Sequence, residues 1–343
     1  MKRKALTIHD IAKKLNIAAS TVSRALNNNP NISRTTIEKV NAYAIEIGYR
    51  PNWIASNLRK RKTNSIGIVV PQINRNFFSC FISGVEEIAF KKNYNVIISQ
   101  SNNMLEKEKK IVYSLFSNQV DGLIVSLSMQ TNEFSHFKLF QENNIPLVFF
   151  DRVATSLNTD RIIVDDFEAG YRATKHLIDQ GYKRIAHISG PTVLQIYSLR
   201  RDGYIKALKD NNLPVKKEYI LNSHLLREDG ENSMKQFLGL KIPPDAIFCG
   251  NDTSALGLMM YLKKMGIIIP ENIGIVGFSD EPFSELITPT LSTLRQPAFE
   301  MGEKAAGLLI ERIEKNENPS DFKTIVMPTK LIIRESSSAK KNK

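Results

Sequence analysis

The sequence predicts an α/β fold in two parts: a small all-α head at the N-terminus, then a larger two-lobed body of parallel sheets covered by helices. Three observations carry this expectation. Up to Lys62 there are thirteen Lys/Arg against three acids, Asp10, Glu38 and Glu46, so +10 of the chain's net +12 sits in the head. Apolar residues recur through the same stretch at helical spacing. From Ser65 onward the pattern changes to short continuous apolar runs separated by amphipathic stretches, as in strands buried on both faces of a parallel sheet. A length of 343 residues suits a small domain followed by larger ones.

Composition narrows the function. The apolar share of 42% and charged share of 24% are those of an ordinary globular protein. No run of eighteen apolar residues exists, and the basic N-terminus is followed by a polar amphipathic segment rather than a secretory leader. A cytoplasmic location and no membrane partner are therefore expected. The two cysteines, Cys80 and Cys249, have no metal or redox spacing, and the five histidines are scattered. There is no glycine-rich phosphate loop and no nucleophile elbow. No enzyme activity, cofactor or metal is expected. A compact basic head on a near-neutral body is the electrostatic footprint of nucleic-acid binding.

The head divides into short helices. Ile8, Ile11, Ala12 and Leu15 make one apolar stripe, with Thr7 and Asp10 placed as an N-cap and a first-turn acid. A second helix turns Val22, Ala25 and Leu26 inward, and 27–30 (NNNP) breaks it. Ser33 caps a third, whose inner face is Ile37, Val40, Ala44 and Ile47 and whose end is Gly48. The tight junction of the first two predicts a helix-turn-helix. The second helix of such a motif enters the major groove, so Ala19, Ser20, Thr21, Ser23 and Arg24 become candidates for DNA contact. Arg24 suits bidentate reading of guanine, and Ala19 suits contact with a thymine methyl. Thr7, Thr21, Asn27, Ser33 and Thr36 are short polar groups fit for phosphates, or equally for helix caps and solvent.

The segments TIHDIAKKLNIAASTVSRALN and GYRPNWIASNLRKRKTNSIGIVVP resemble those of the LacI/GalR (lactose repressor/purine repressor) family of transcriptional regulators. The resemblance implies that 52–60 form a hinge helix ordered on DNA and paired with its dimer mate. Leu58 would be the wedge in the minor groove, consistent with how apolar side chains unstack base steps. Tyr49, Asn52 and Ala55 complete the expected DNA contacts. Ala18 stands where the family usually has Ser, which removes a cap and a phosphate contact at the start of the reading helix.

In the body, strands are expected at 66–70, 96–98, 123–125, 147–150, 185–188, 246–249 and 273–276, with helices at 78–92, 106–118, 168–181, 200–211 and 253–265. Such sheets bind ligands beyond the carboxyl ends of their strands, so residues just after each strand are the candidates. These are Asn76-Phe77, Asp151-Arg152, Asn251-Asp252 and Ser279-Asp280-Glu281, with Arg200 at the start of a helix. The resemblance implies a periplasmic-binding-protein-like sensor in which Phe77, Asp151, Arg200, Asn251, Asp252 and Ser279 line an effector cleft between the lobes. Carboxylates, an amide and an arginine beside an aromatic face suit a polyhydroxylated ligand. A sugar is favoured over a purine because Leu194 and Ile196 stand where a purine reader needs polar groups, although a nucleobase-responsive regulator is the alternative. Asp165-Asp166, where relatives commonly show Asp-Asn, is expected to serve interlobe structure.

The expected domains are 1–50 for DNA binding and 51–63 for the hinge, followed by a first lobe of about 64–163 with 294–323. A second lobe of about 164–293 with 324–335 completes the body, and 336–343 form a tail. A helix at 298–315 would cross back to the first lobe, giving three crossovers that bend without unfolding either lobe. No heptad repeat closes the chain, so a homodimer on a pseudo-palindromic operator is expected. The predicted function is a DNA-binding transcriptional regulator, acting as a repressor under control of a small-molecule effector.

Overall fold

The computed structural model describes residues 6–49, 62–315 and 321–338. The chain divides into two compact units, Met1–Thr63 and Asn64–Lys343.

The first unit contains α1 (Ile8–Leu15), α2 (Ala19–Leu26) and α3 (Arg34–Glu46). Asp10 caps α1 by accepting the Thr7 backbone N–H at 2.7 Å and its hydroxyl at 2.8 Å. Asn16, at φ 53°, ends that helix in the left-handed region and lets α2 start three residues later. The inward residues expected from periodicity close one small core: Ile11, Ala12, Val22, Ala25, Val40 and Ala44 are buried, with Ile8, Leu15, Leu26, Ile37 and Ile47 packed around them. Gly48, at φ +65°, reverses the chain after α3. The hinge helix, with Asn52, Ala55 and Leu58, lies outside the described residues.

The described residues of the second unit form three sheets. The first, in spatial order, is β11 (Thr324–Met327), β5 (Asp160–Val164), β4 (Leu147–Phe150), β3 (Gly122–Val125), β1 (Ser65–Val70) and β2 (Asn95–Gln100), all parallel. One face is covered by α4 (Asn76–Lys91) and α11 (Ala298–Lys315), the other by α5 (Leu105–Ser117) and α6 (Ser135–Glu142). The second sheet is β7 (Ile220–Asn222), β6 (Ile185–Ser189), β8 (Ala246–Cys249) and β9 (Gly274–Val276), also parallel. Helices α7 (Asp166–Asp179) and α8 (Gln195–Asp210) pack against one of its faces. Helices α9 (Arg227–Leu238) and α10 (Asp252–Lys264) pack against the other. A short antiparallel pair, β10 (Thr293–Arg295) with β12 (Lys330–Ile332), sits beside it, with Leu294 in the second lobe's core.

The chain passes between lobes three times, after β5, after β10 and after β11. Two of the expected segment assignments need correction. Residues 324–327 belong to the first lobe, because β11 pairs with β5 from Thr324↔Arg161 to Met327↔Val164. Ile325 and Met327 pack on that lobe's core while Val326 is exposed, the alternation of an edge strand. Residues 294 and 295 belong with the second lobe through β10. Two helices, α6 and α9, and the strands β5, β7, β10, β11 and β12 were not among those expected from apolar runs.

Helices α7 and α8 touch backbone to backbone. A Cβ on Gly203 would stand 2.1 Å from the Phe167 carbonyl oxygen, and one on Gly170 2.2 Å from that of Arg200. Only glycine at both positions permits this approach. It sets Arg200 on α8 directly beside Asp166 at the start of α7.

Candidate functional site

The loops that follow the parallel strands of both lobes converge on one cleft. After β1 come Gln72 and Arg75, after β2 Asn103, after β4 Asp151 and Arg152. The second lobe contributes Tyr197, His224, Asn251 and Ser279, and Gln296 stands at the second crossover. The cavity there is about 90 Å3, well below the several hundred Å3 of an open ligand site. The lobes are drawn together across it. The Arg75 guanidinium of the first lobe donates to the Thr253 hydroxyl of the second. Arg152 Nη2 donates to the Tyr197 hydroxyl at 3.2 Å. Glu281 of the second lobe is pushed up by burial, with the Asn76 backbone amide at the start of α4 and the Arg75 charge pulling it down.

Arg200 is the most constrained cation. Its Nε donates to Asp166 Oδ1 at 2.7 Å, its Nη1 to the Gly250 carbonyl at 3.1 Å, and its Cζ lies 3.4 Å from the Phe278 ring centroid. Stacking and a buried ion pair fix the fork rather than leave it to solvent. Burial pushes the Asp166 carboxyl up to about 6, with Arg200 pulling it down and Asp151 pushing it up. Asp151 is also raised by burial, against the opposing pull of Arg152 and Arg200 and of Gln296 and Ser126 beside it. The Arg152 Nε has no hydrogen-bond partner and stands 3.9 Å from Asp151 Oδ2. A buried donor left open in a cleft is what a ligand acceptor would satisfy.

Eight of the ten residues expected at the cleft line it: Phe77, Asp151, Arg152, Arg200, Asn251, Asp252, Ser279 and Glu281. Several are engaged elsewhere. The Asn251 Oδ1 accepts the Ser254 N–H at 2.8 Å, capping α10, and its Nδ2 donates to the Leu225 carbonyl. The Asp252 carboxylate accepts from Thr293 Oγ1 at 2.6 Å, the Glu281 N–H at 2.8 Å and Ser284 Oγ at 3.2 Å, yet burial still pushes it up to about 6. Phe77 is nearly buried against Phe78 and Phe150.

Asn76 and Asp280 do not line it, and for Asp280 the backbone gives the reason. Successive positive φ values at Ser279 and Asp280, 116° and 56°, turn its side chain out of the cleft. There it pairs with Arg295 Nε at 2.6 Å and Arg334 Nη1 at 2.8 Å. Arg200 stands in the second turn of α8 rather than at its start. Asp166 was expected to join the lobes, but Arg200, Gly250 and Phe278 all belong to the second. Asp165 caps α7 through the Glu168 N–H. Of the two apolar residues that favoured a sugar, Ile196 lines the cleft and Leu194 is buried in the second lobe's core. The rule that residues after strands line the cleft, applied to β1 and β2, also points to Arg75 and Asn103. Tyr197 and Gln296 carried no such signal.

On the head, Thr7, Ser20, Arg24, Asn27 and Ser33 are exposed, and Thr21, Ser23, Thr36 and Tyr49 are half-exposed. Ala19 is half-buried against the head core rather than fully outward. Several hydroxyls have local work: Thr7 bonds Asp10, and Ser33 Oγ accepts the Thr36 N–H at 3.3 Å and meets its hydroxyl at 2.8 Å. Asn27 donates to the Ser23 carbonyl at 2.7 Å. At Ala18 the cap of α2 has no side-chain bond, and the Thr21 N–H goes instead to the Ala18 carbonyl at 2.9 Å.

Two family models match this chain. "Bacterial regulatory proteins, lacI family" covers residues 7–52, and "Periplasmic binding proteins and sugar binding domain of LacI family" covers 63–335. The NTD biosynthesis operon regulator NtdR of Bacillus subtilis (strain 168) is 35% identical, over 96% of this chain and 99% of the relative. Among solved structures, the lac repressor dimer bound to operator and the anti-inducer ONPF aligns with a TM-score of 0.86. It covers 98% of this chain and 100% of that one, and at 24% identity it speaks for the fold. The CelR–cellobiose complex aligns with a TM-score of 0.74 at 25% identity, over 96% of this chain and 99% of that one. Among the described residues no helix is long and apolar enough to cross a membrane. With a helix-turn-helix head, a two-lobed parallel α/β body and a cleft between the lobes, the chain belongs to the LacI family and is a DNA-binding transcriptional regulator, not an enzyme.

Proposed function

We propose that this regulator represses transcription from a pseudo-palindromic operator in the cytoplasm, as a homodimer whose operator affinity is set by a sugar held in the cleft. The observation that carries the effector reading is the ring of hydrogen-bonding groups from both lobes around Arg200, at the carboxyl ends of two parallel sheets. Paired hydroxyls of a polyol match a fixed guanidinium and a neighbouring carboxylate. The sugar in the CelR–cellobiose complex supports the same class of ligand for a chain of this fold.

Arg24 and Ser20 of α2 would face base edges. Ala19, Thr21, Ser23 and Tyr49 would flank them, with Thr7, Asn27, Ser33 and Thr36 near phosphates. Dimerisation has its own support in the body. β2 is an edge strand presenting Ile97 and Ile98, and Phe90 at the end of α4 is 79% exposed, apolar surface that a second copy would cover. Effector binding would favour one angle between the lobes and so bias the population competent for DNA.

Two measurements test the reading. Selection from random duplexes should return a site with two related halves, bound with a salt slope of about −0.9 per phosphate contact. Recovery of no enriched sequence would refute operator recognition. Thermal stability across monosaccharides, disaccharides and nucleobases should single out one sugar, which at about a hundred times its Kd stabilises by about 2.7 kcal/mol. Stabilisation by a nucleobase alone would overturn the sugar reading.

A further inference from the structure

We propose that the cleft is charge-matched, so that it accepts electrically neutral ligands and rejects phosphorylated or carboxylated ones, with Asp166 and Glu281 as the residues that set this selectivity. The proposal rests on the cleft being the effector site and specifies the chemical class that it takes.

Three guanidiniums enter the cleft, and two of them stand against a carboxylate of their own. Arg200 is paired with Asp166 at 2.7 Å, both side chains being about 5% exposed or less. Arg152 Nε stands 3.9 Å from Asp151 Oδ2, and its remaining donors go to Asn103 Oδ1 at 2.7 Å, the Leu127 carbonyl and the Tyr197 hydroxyl. Arg75 bonds Gln72 and Thr253 and makes no ion pair; Glu281 stands further off, where it still feels the Arg75 charge. A fourth carboxylate, Asp252, has hydroxyl and amide partners and no guanidinium bonded to it. Three carboxylates and three guanidiniums line the cleft, and Asp166 behind Arg200 brings the carboxylates to four.

An anion entering this space would lose its hydration and meet more carboxylates than guanidiniums. Three arginines would otherwise suggest an anion site; the carboxylates around them argue the reverse. A neutral polyol is under no such penalty. An arginine in an ion pair still has N–H donors to spare, because the guanidinium carries five and Arg200 commits Nε and one hydrogen of Nη1. Both signs of partner then meet hydroxyls, which donate and accept.

The test uses the full-length protein and follows its melting temperature in titrations with inorganic phosphate at constant ionic strength. A parallel set uses neutral monosaccharides and their phosphate esters. Asp166→Asn keeps the shape and removes the charge behind Arg200; Glu281→Gln does the same behind Arg75. The wild type should show no saturable phosphate effect, and each variant should bind phosphate at least about tenfold more tightly. Arg200→Gln in the Asp166→Asn background should abolish that gain. If Asp166→Asn does not fold, Glu281→Gln carries the test alone. Saturable stabilisation of the wild type by a sugar phosphate or by phosphate, lost with Arg200→Gln, would overturn the proposal. So would the absence of any gain in the folded variants. If the variants gain phosphate binding while no sugar stabilises the wild type, the charge matching stands and the sugar reading falls.

Discussion

The α7–α8 contact gives the sharpest prediction about stability. Gly203 lies where α8 crosses α7, and an alanine there places its Cβ 2.1 Å from the Phe167 oxygen and 2.7 Å from the Tyr171 nitrogen. Ordinary contact begins near 3.4 Å, so the two backbones must part by about 1.3 Å, the shortfall of the 2.1 Å contact. Neither obstacle is the end of a flexible side chain. Overpacking of this kind costs about 3 kcal/mol at the upper end of its range, and the gain in helix propensity returns about 1 kcal/mol. The net loss of about 2 kcal/mol should lower the melting temperature of a body this size by roughly 4–8 °C. The same shift would stretch the Arg200–Asp166 bond from 2.7 Å towards 4 Å, so effector affinity should fall with stability. Gly307→Ala is the matched control. It sits mid-helix in α11 with nothing within 4 Å of the added Cβ, and it should raise the melting temperature by about 2–4 °C. Thermal denaturation of both full-length variants decides the matter. If both move the melting temperature in the same direction, the close helix contact does not constrain the fold as argued.

Three further outcomes are expected. Arg24→Ala should cost about 1–3 kcal/mol on the selected operator and relax preference at one base pair, measured against random duplex; equal losses on both would refute base reading. Ser33→Ala removes the α3 cap and should cost about 1 kcal/mol. Amide exchange at residues 34–37 of the full-length protein should then quicken about fivefold, and unchanged exchange would show the cap to be idle. His187 is held neutral by burial, pushed down to about 4, with Nδ1 against the Phe248 carbonyl at 2.9 Å. Between pH 6.5 and 4 the unfolded chain takes up a proton that the folded one refuses, so this group's contribution to stability is lost as pH falls. Relative to His187→Gln, the wild type should lose about 1.4 kcal/mol per pH unit in that window; a difference independent of pH would refute the assignment.

Much of the fold could be read from the sequence because its signal is burial. The runs at 147–150 and 246–249 are continuous apolar stretches, and both are strands with those bounds. Helix α11 was legible over its full length of 298–315, since Met301, Ala305, Leu308 and Leu309 recur at helical spacing. The missed strands have a different pattern. β11 at the sheet edge alternates exposed and half-buried residues over four positions, and β12 has three, too few for a period to register. In the cleft, the rule that ligands meet the residues after parallel strands located Asp151 and Ser279. It failed one residue later at Asp280, because the left-handed turn that redirects this side chain leaves no trace in composition. Arg200 was identified, but the neighbour that fixes its charge was not. Asp166 is 34 positions away and meets it only through the glycine contact between two helices.

The third crossover also bears on how the molecule is made. The second lobe is nearly contiguous, from α7 to β10, and lacks only the short strand and turn beyond residue 329. The first lobe is not. Its β11 edge strand and the helix α11, whose Ala298, Met301, Ala305, Leu309 and Ile313 complete the core beneath one face, come from the C-terminal end of the chain. On the ribosome, residues 64–164 emerge first, yet the face of their sheet beside α4 stays partly uncovered until α11 follows. The later-made lobe can therefore close before the earlier one. In the meantime the first sheet exposes Ile66, Ile124, Val148 and Ile162 beside an unpaired β5 edge, the surface on which a chaperone or a wrongly paired strand would act.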